Sequence, residues 1–275
     1  MEQNEAGSRK YNVLIVGTGG QGAFADEPNG ENSAKIISFA HAFKLHPGFT
    51  NPILYDTDPA KAEKAAKVWN THKTDDYVFA LGFQRFDVAI VATPDDTHYE
   101  ILKTLAKHPL KLVICEKPLC TGLQEAQEIV ELYKAKNTPL MVNNTRNYIP
   151  RLRSLVEAHG KATFGYCLFN KGWVHSAIHA IGFFNMLGLD NYLIKEVAQK
   201  ETRTWVLVAC FEDGYIWSEE RVTDHMPVSD YYDQHMRYVV DNAYQFLEGN
   251  QPLLYDAKNA LKDLEKCFVL MQNMI

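Results

Sequence analysis

Residues 13–22 read VLIVGTGGQG, an apolar run that breaks directly into glycine. The branched apolar residues predict a short buried strand, and three glycines follow it in the spacing G-x-G-x-x-G. This glycine pattern alone is weakly specific, but after the strand that opens a domain it indicates a turn that binds a pyrophosphate. Glycine lets the backbone approach the phosphates and leaves N–H groups free to bind them. The expected contacts are Gly17, Gly19, Gly20, Gln21 and Gly22.

The rest of the first half alternates apolar segments with segments of helical composition. The apolar segments are PILYDTDP (52–59), FDVAIVATP (86–94), LKLVICEKP (110–118) and PLMVNNTR (139–146). The helical segments are residues 33–46, 59–70, 97–108 and 123–137. Near-continuous apolar strands that alternate with helices indicate an α/β fold with a doubly wound parallel sheet of the Rossmann type.

Polar residues follow the predicted strands. They are Gly17, Asp56, Thr93-Pro94, Glu116-Lys117 and Asn143-Asn144. The carboxyl ends of parallel strands meet at one edge of the sheet, and folds of this class bind ligands there. We therefore expect one site at that edge.

Asp56 ends the second predicted strand, where a carboxylate can accept hydrogen bonds from an adenosine ribose. It would repel a 2′-phosphate, so the sequence favours NAD over NADP. The alternative is that Asp56 only begins an acidic turn with Asp58 and Pro59.

The stretch from Ala23 to Asn32 does not have the composition of a helix, because it contains Pro28, Gly30 and two asparagines. We interpret it as an insertion between the phosphate turn and the first helix, which we expect to begin near Asn32 or Ser33. The insertion is either a surface loop or a segment that folds over the cofactor or substrate.

With these residues in place, the chain resembles the Gfo/Idh/MocA family of NAD(P)-dependent oxidoreductases. The segments that carry the resemblance are VLIVGTGGQG, VAIVATPDDTHYEILKTLAKH, LVICEKPLC, VNNTRNYIP and KGWVHSAIHAIGFFNMLG. The resemblance implies that Lys117 is the catalytic or substrate-orienting lysine and that Glu116 holds this lysine or the nicotinamide ribose. It also implies cofactor contacts at Thr93, Pro94, His98 and Asn144.

His175 and His179 are spaced one helical turn apart, so they face the same way. By resemblance, His179 matches the family's catalytic histidine, and His175 replaces a common polar partner. Gly182 stands where many members carry an aspartate, which puts the usual proton relay in doubt. Lys171 is a further candidate for substrate contact, beside Lys117 and the two histidines.

The H-x-x-x-H spacing of the two histidines also suggests a zinc pair. The glutamate of HExxH is absent and no third ligand is evident, so we expect no metal. The plainer alternative is that both histidines only line a helix packed on the sheet.

The strict alternation stops after Pro150. Residues 161–170, 203–211 and 214–222 predict strands, with a hairpin turn at residues 212–214 (EDG) between the last two. Residues 231–249 and 256–272 predict amphipathic helices, the second capped by Asp256. We therefore expect a dinucleotide-binding domain at 1–146 and a smaller α+β domain at 147–275 with an open, mostly antiparallel sheet.

One face of this second sheet is expected to carry aromatic residues, namely Trp205, Tyr215 and Trp217. An apolar sheet face is more often an interface than a solvent surface, so we expect a homodimer or a homotetramer.

The composition excludes several classes of protein. The chain has 275 residues, a formal net charge of -6 and no basic stripe, so nucleic acid is not an expected partner. It has no apolar run of membrane-spanning length, and its polar start lacks the apolar core of a secretory signal. Five scattered cysteines without a CxxC pattern are expected to be reduced thiols in a cytoplasmic protein.

Two functional hypotheses follow. The first is an NAD-dependent oxidoreductase that transfers a hydride between nicotinamide and a hydroxyl or carbonyl of a sugar or nucleotide-sugar. The second is a dinucleotide-binding sensor with impaired catalysis, which Gly182 and the reduced C-terminal domain favour.

Overall fold

A five-stranded parallel sheet forms the centre of the N-terminal half. The computed structural model describes residues 10–26, 33–197, 204–221 and 232–272. The strands are β1 (Val13–Val16), β2 (Ile53–Tyr55), β3 (Val88–Val91), β4 (Leu112–Glu116) and β5 (Leu140–Asn143). They pair in the order β2-β1-β3-β4-β5, which confirms the predicted doubly wound sheet. Every residue of β1, β3, β4 and β5 is buried, as a sheet covered on both faces requires.

Four of the ten helices described begin at an acidic or hydroxyl side chain that caps them. They are α1 (Phe39–Leu45), α2 (Pro59–Val68), α3 (Tyr77–Phe83), α4 (His98–Leu105), α5 (Leu123–Ala135), α6 (Pro150–Arg153), α7 (Leu155–His159), α8 (Ile178–Met186), α9 (His235–Leu247) and α10 (Ala257–Gln272). Asp58, Asp76 and Asp256 each accept backbone N–H groups from the first turn that follows them. The predicted cap at Asp256 is therefore confirmed.

The first helix begins later than the sequence predicted. Its N-cap is Ser38, where we expected a start near Asn32 or Ser33. The buried carboxylate of Asp26 accounts for the difference, because it accepts hydrogen bonds from Ser38 N at 3.1 Å and Ser38 Oγ at 2.5 Å. These bonds fix the backbone just before the helix in a non-helical path.

The predicted insertion is only partly described. Ala23 and Phe24, which we assigned to irregular chain, close a π-helical turn at Gly20–Phe24. Residues 27–32 lie outside the described residues, so the expected irregular conformation stays a prediction there.

The second sheet has four strands in the order β7-β6-β8-β9. They are β6 (Ala162–Phe169), β7 (Tyr192–Glu196), β8 (Trp205–Phe211) and β9 (Ile216–Arg221). β6 pairs in parallel with β7, and the β6–β8 and β8–β9 pairs are antiparallel, which confirms a mostly antiparallel sheet. Gly214, with φ +88°, closes the predicted hairpin between β8 and β9.

The aromatic residues of this sheet point the opposite way from the prediction. Trp205 and Trp217 are buried on the face that α8 covers, and the Trp217 ring lies 4.7 Å from that of Phe183. Tyr215 lies at the hairpin turn and stacks on His159. The prediction that these three residues load the open face was wrong.

The two halves of the chain are packed together by helices. α10 packs against α8 of the second half and α5 of the first, and α9 packs against α1. Among the described residues, no helix is both long enough and apolar enough to cross a membrane. The five cysteines are free thiols.

Candidate active site

A cavity of about 1140 Å³ opens at the carboxyl ends of the parallel strands. Both halves of the chain contribute to its walls. The predicted site residues that line it are Gly17, Gly19, Gly20, Gln21, Asp56, Thr93, Pro94, Glu116, Lys117, Lys171, His175 and His179. Twelve side chains or backbone segments chosen from sequence therefore meet in one space.

The glycine turn leaves one side of its backbone open to the cavity. Gly17 has φ +97°, and a Cβ there would lie 2.5 Å from the Ala92 carbonyl oxygen. A Cβ on Gly22 would lie 2.1 Å from the Gly17 carbonyl oxygen, so Gly22 serves the packing of the turn and does not line the cavity. At Gly19 and Gly20, by contrast, a Cβ would meet nothing within 4 Å. This is the open backbone that a pyrophosphate requires.

Asp56 is fixed at the end of β2 by its own hydrogen bonds. One carboxylate oxygen accepts from Thr18 N and Thr18 Oγ1, both at 2.8 Å, and the other accepts from Asp58 N at 3.0 Å. Partial burial alone would raise the pKa of Asp56, but these hydrogen bonds hold it below its ordinary value. The side chain is therefore an anion that faces the cavity, and Lys61 lines the same part of the wall.

His98 and Asn144 do not line the cavity. The buried ring of His98 lies between two carbonyl oxygens, with Nδ1 2.8 Å from Pro118 O and Nε2 3.0 Å from Thr93 O. Asn144 is buried and donates to the Ile178 carbonyl at 3.1 Å. In this structure both side chains connect loops of the site through hydrogen bonds. Their predicted contacts with the cofactor stay predictions.

Glu116 lies at the end of β4, and its side chain is almost completely buried. Its Oε1 accepts a hydrogen bond from Asn143 Nδ2 at 2.7 Å. Burial raises the pKa of Glu116 to about 7, and the hydrogen bond and the neighbouring Lys117 charge oppose that rise. A carboxyl group that titrates near neutral pH therefore stands directly before the lysine.

Lys117 reaches from the first half of the chain to the second. The Lys117–Pro118 peptide bond is cis. Lys117 Nζ donates to the His175 carbonyl oxygen at 3.1 Å and lies 3.4 Å from His175 Nδ1. His179 lines the same cavity, with its ring edge-on to Trp205 at 6.1 Å. The geometry thus brings the lysine and both histidines to one space.

His175 and His179 do not share one α-helix. His175 belongs to a π-helical turn, Trp173–Ala177, and His179 lies in the first turn of α8. Both nevertheless line the cavity, so the altered backbone keeps the predicted common orientation toward it.

Sequence reasoning missed Asp95. Its Oδ2 lies 2.7 Å from His175 Nδ1, across the boundary between the two halves. Partial burial alone would raise the pKa of Asp95, but the hydrogen bond and charge of His175 and the charge of Lys117 lower it. The available signal was its position after β3, next to Thr93-Pro94 at the ligand-binding edge of the sheet.

One wall of the cavity is formed in part by Arg146, whose buried ion pair the sequence did not reveal. Arg146 Nη2 lies 2.7 Å from Glu219 Oε1, and both side chains are buried. The guanidinium carbon lies 4.9 Å from the Trp205 ring centre and 5.5 Å from that of Tyr232. These contacts give the far wall a rigid aromatic and cationic surface.

The chain after the insertion reaches across to the second half. Ile36 N donates to Asp233 O at 2.6 Å, Met236 N donates to Ile36 O at 3.2 Å, and Lys35 pairs with the Asp233 carboxylate. Lys35, Ile37 and Asp233 line the cavity. The segment at 35–37 is therefore part of the wall.

Gly182 has no space for the acid that many family members carry. A Cβ at this position would lie 2.1 Å from Asn144 Nδ2 and 2.7 Å from Asp263 Oδ2. Asp263 comes from α10, and burial raises its pKa to about 6. A carboxylate from another helix thus occupies the neighbourhood of the missing one. In the part of the chain that the structure describes, no group of three or more His, Cys, Asp or Glu side chains could hold a metal ion.

Comparison with known proteins agrees with this architecture. Residues 11–144 match the model of an oxidoreductase family, GFO_IDH_MocA, described as an NAD-binding Rossmann fold. Residues 11–144 therefore match the NAD-binding part of this oxidoreductase family, which confirms the resemblance inferred from sequence.

Similar proteins carry related names. An inositol 2-dehydrogenase from Rubrobacter xylanophilus is 25% identical over 213 residues, which are 76% of this chain and 56% of that protein. An uncharacterized oxidoreductase from Streptococcus pneumoniae is 30% identical over 60% of this chain and 41% of that protein. The chain thus spans about half or less of the length of these relatives.

Solved structures share the fold along nearly the whole chain. GenD2 from gentamicin A biosynthesis, crystallised with NAD, has a TM-score of 0.72 at 14% identity and covers 97% of this chain, with 95% of its own chain matched. A putative myo-inositol dehydrogenase from Sinorhizobium meliloti has a TM-score of 0.73 at 13% identity, with 94% and 95% covered. At these identities the likeness concerns the fold.

Proposed function

We propose that the protein is an NAD-dependent oxidoreductase that transfers a hydride between nicotinamide and a CH–OH or carbonyl carbon of a sugar-like substrate. The observation that carries this proposal is that Lys117 and His179, from different halves of the chain, line one cavity that begins at an open glycine turn. The names of the inositol dehydrogenase relatives support a polyol or sugar, and a nucleotide-sugar is the wider alternative.

The residues present fit a bound dinucleotide. Gly19 and Gly20 leave room for a pyrophosphate, and the Asp56 carboxylate can accept hydrogen bonds from ribose hydroxyls. When bound, NAD supplies the hydride acceptor or donor. The anionic Asp56 favours NAD over NADP, because it would repel a 2′-phosphate.

The chain itself must manage the proton of the reacting hydroxyl. Lys117 can hold the substrate oxygen by hydrogen bonding and, as a neutral amine, can accept its proton. His179 is the second group at the cavity that can take or return a proton near neutral pH. Trp205 and Arg146 form the opposite wall and would limit the shape of the substrate.

The first prediction concerns Lys117 and His179. Lys117→Ala and His179→Ala should each lower turnover about 10²–10⁴-fold, because each removes a group that handles the proton. NADH should still bind, since the glycine turn and Asp56 are untouched. We would measure NADH and NADPH affinities by fluorescence titration, and turnover with myo-inositol, glucose and UDP-glucose.

Lys107→Ala and His72→Ala are the matched controls, because both residues are exposed and lie outside the cavity. Normal turnover in both active-site variants would refute the catalytic roles of Lys117 and His179. Tighter binding of NADPH than of NADH would refute the role of Asp56.

The second candidate function is a dinucleotide-binding sensor with impaired catalysis. The observation that favours a sensor is that the structure leaves no space for an acidic side chain at Gly182. NADH binding by the unmutated protein, without oxidation of any sugar in the panel, would support the sensor over the enzyme.

A further inference from the structure

Three ionisable side chains form a continuous series at the cavity, and they come from three separate elements. Asp95 follows β3, Lys117 follows β4, and His175 lies in the π-helical turn before α8. Asp95 Oδ2 lies 2.7 Å from His175 Nδ1, and Lys117 Nζ lies 3.5 Å from His175 Nε2. The imidazole is therefore in contact with both a carboxylate and an amine, and Lys117 Nζ also lies 3.4 Å from His175 Nδ1.

The carboxylate decides which nitrogen of His175 carries the proton. An ionised carboxylate can only accept a hydrogen bond, so at 2.7 Å the His175 Nδ1 must be the donor. A neutral imidazole with its proton on Nδ1 has a lone pair on Nε2. Lys117 Nζ lies 3.5 Å from this nitrogen and 3.4 Å from Nδ1, so a change in the Lys117 side-chain torsions is needed to aim an N–H at the lone pair. The same arrangement, in which a carboxylate selects the tautomer and stabilises the imidazolium, serves proton transfer in acid–base triads.

We propose that Asp95 is a positioning residue that orients His175 to accept the proton that Lys117 takes from the substrate. This inference rests on the oxidoreductase function proposed above. In oxidation, the substrate hydroxyl gives its proton to the neutral Lys117 amine. The resulting ammonium passes one proton from Nζ to His175 Nε2, and the imidazolium then releases it to water. One N–H bond breaks as another forms at each step, so the proton is conserved and Lys117 returns to the amine.

The exposure of the His175 and Asp95 side chains suits this direction of transfer. The His175 side chain is 51% exposed and that of Asp95 is 31% exposed, so His175 contacts solvent. Glu116, immediately before Lys117, is nearly fully buried. A proton that leaves Lys117 therefore has a solvated path through His175.

The arrangement also assigns a role to a residue that departs from the family pattern. His175 replaces a polar partner on the second half of the chain, and the carboxylate that orients it comes from the Rossmann half. Asp95 and His175 thus have to be tested as a pair.

The structural test is the tautomer of His175 in the full-length protein. Long-range ¹H–¹⁵N NMR distinguishes the Nδ1–H form from the Nε2–H form, and His175→Gln would assign the signal. We expect neutral His175 in the Nδ1–H form in the unmutated protein and a shift toward the Nε2–H form in Asp95→Ala. Asp95→Glu should retain the Nδ1–H form. Asp96→Ala, which removes the same charge one residue away, should leave the tautomer unchanged.

The kinetic test uses a sugar or polyol that the unmutated protein oxidises. Asp95→Ala and His175→Gln should lower kcat about 10²-fold while KM and NADH affinity stay similar, and Asp95→Glu should restore part of kcat. The proposal is overturned if neutral His175 lacks a proton on Nδ1, if Asp95→Ala leaves the tautomer unchanged, or if Asp95→Ala turns over normally. Failure of the enzyme function itself would appear separately, as NADH binding by the unmutated protein without oxidation of any sugar in the panel.

Discussion

The Glu116 carboxyl group is held in a position where ionisation is costly. It accepts a hydrogen bond from Asn143 and has almost no contact with water, and burial raises its pKa from 4.5 to about 7. Between these two values the folded protein holds a proton that the unfolded chain releases. Folding stability contributed by this group is therefore present below pH 4.5 and is lost as the pH rises through about 7.

This linkage gives a prediction for Glu116→Gln, which keeps the size of the side chain and removes the titration. The free energy of unfolding of the unmutated protein, relative to the variant, should fall by roughly 3 kcal/mol between pH 4.5 and pH 7. Urea unfolding at a series of pH values measures this difference. The comparison with the variant cancels Asp263, whose raised pKa acts in the same direction. Parallel curves for the two proteins would contradict the buried, protonated carboxyl.

The sequence alone was enough to predict the site residues that directly follow apolar strands. Asp56 and Lys117 were found because a polar residue directly after a buried strand has to lie at the ligand-binding edge. Asp95 was missed because an acidic residue before a helix is common for capping and dipole reasons alone. Arg146 was missed because its buried partner, Glu219, lies 73 residues away in sequence.

At the scale of elements, α8 shows how one packed helix determines what the site can contain. Gly182 lies on the face of α8 that meets Asn144 and Asp263, and a methyl group there would collide with Asn144 Nδ2 at 2.1 Å. The acid common in the family therefore cannot be restored here by a single substitution.

The corresponding prediction compares two helical glycines. Gly182→Ala should destabilise the protein by about 1–3 kcal/mol through overpacking, and Gly182→Asp should not increase turnover. Gly82→Ala, on α3, is the matched control, because nothing lies within 4 Å of its Cβ position. The control should stabilise the helix by up to about 1 kcal/mol. Equal melting temperatures for Gly182→Ala and the unmutated protein would contradict the close packing.

Elements were predictable where one strong pattern dominated the segment. The five parallel strands were found because each is a near-continuous apolar run bounded by turn residues. α3 was missed because its seven residues, Tyr77–Phe83, are rich in aromatic residues and show no clear polar face. β7 was missed because Tyr192–Glu196 is short and half polar. The late start of α1 depends on the Asp26 carboxylate, which is a tertiary contact.

At the scale of the whole molecule, the outer face of the second sheet carries several exposed apolar side chains. Strand alternation places Trp205 and Leu207 inward and Val206 and Val208 outward, and both sets are apolar. Sequence therefore could not tell which face would be covered. Phe164, Leu193 and Ile216 lie on the outer face with exposed fractions of 38%, 54% and 62%.

We expect this outer face to join two copies of the chain, because a large apolar sheet surface is rarely left in water. Leu193→Glu combined with Ile216→Asp should convert an oligomer into a 31.3 kDa monomer in sedimentation velocity. Phe83→Ser, on an 80% exposed site of α3, is the control for removing an apolar side chain elsewhere. A monomeric unmutated protein at micromolar concentration would contradict this interface, and Trp205→Ala would then report on the substrate wall alone.

The backbone hydrogen bonds that join Ile36 to Asp233 and Met236 have a consequence for the timing of the reaction. They tie together two walls of the cavity that belong to distant parts of the sequence. A dinucleotide that leaves the cavity sideways would have to break these bonds first, whereas one that slides out lengthwise would not. For sideways release, the residence time of the dinucleotide, and with it the pace of successive catalytic cycles, would be governed by how often these hydrogen bonds open.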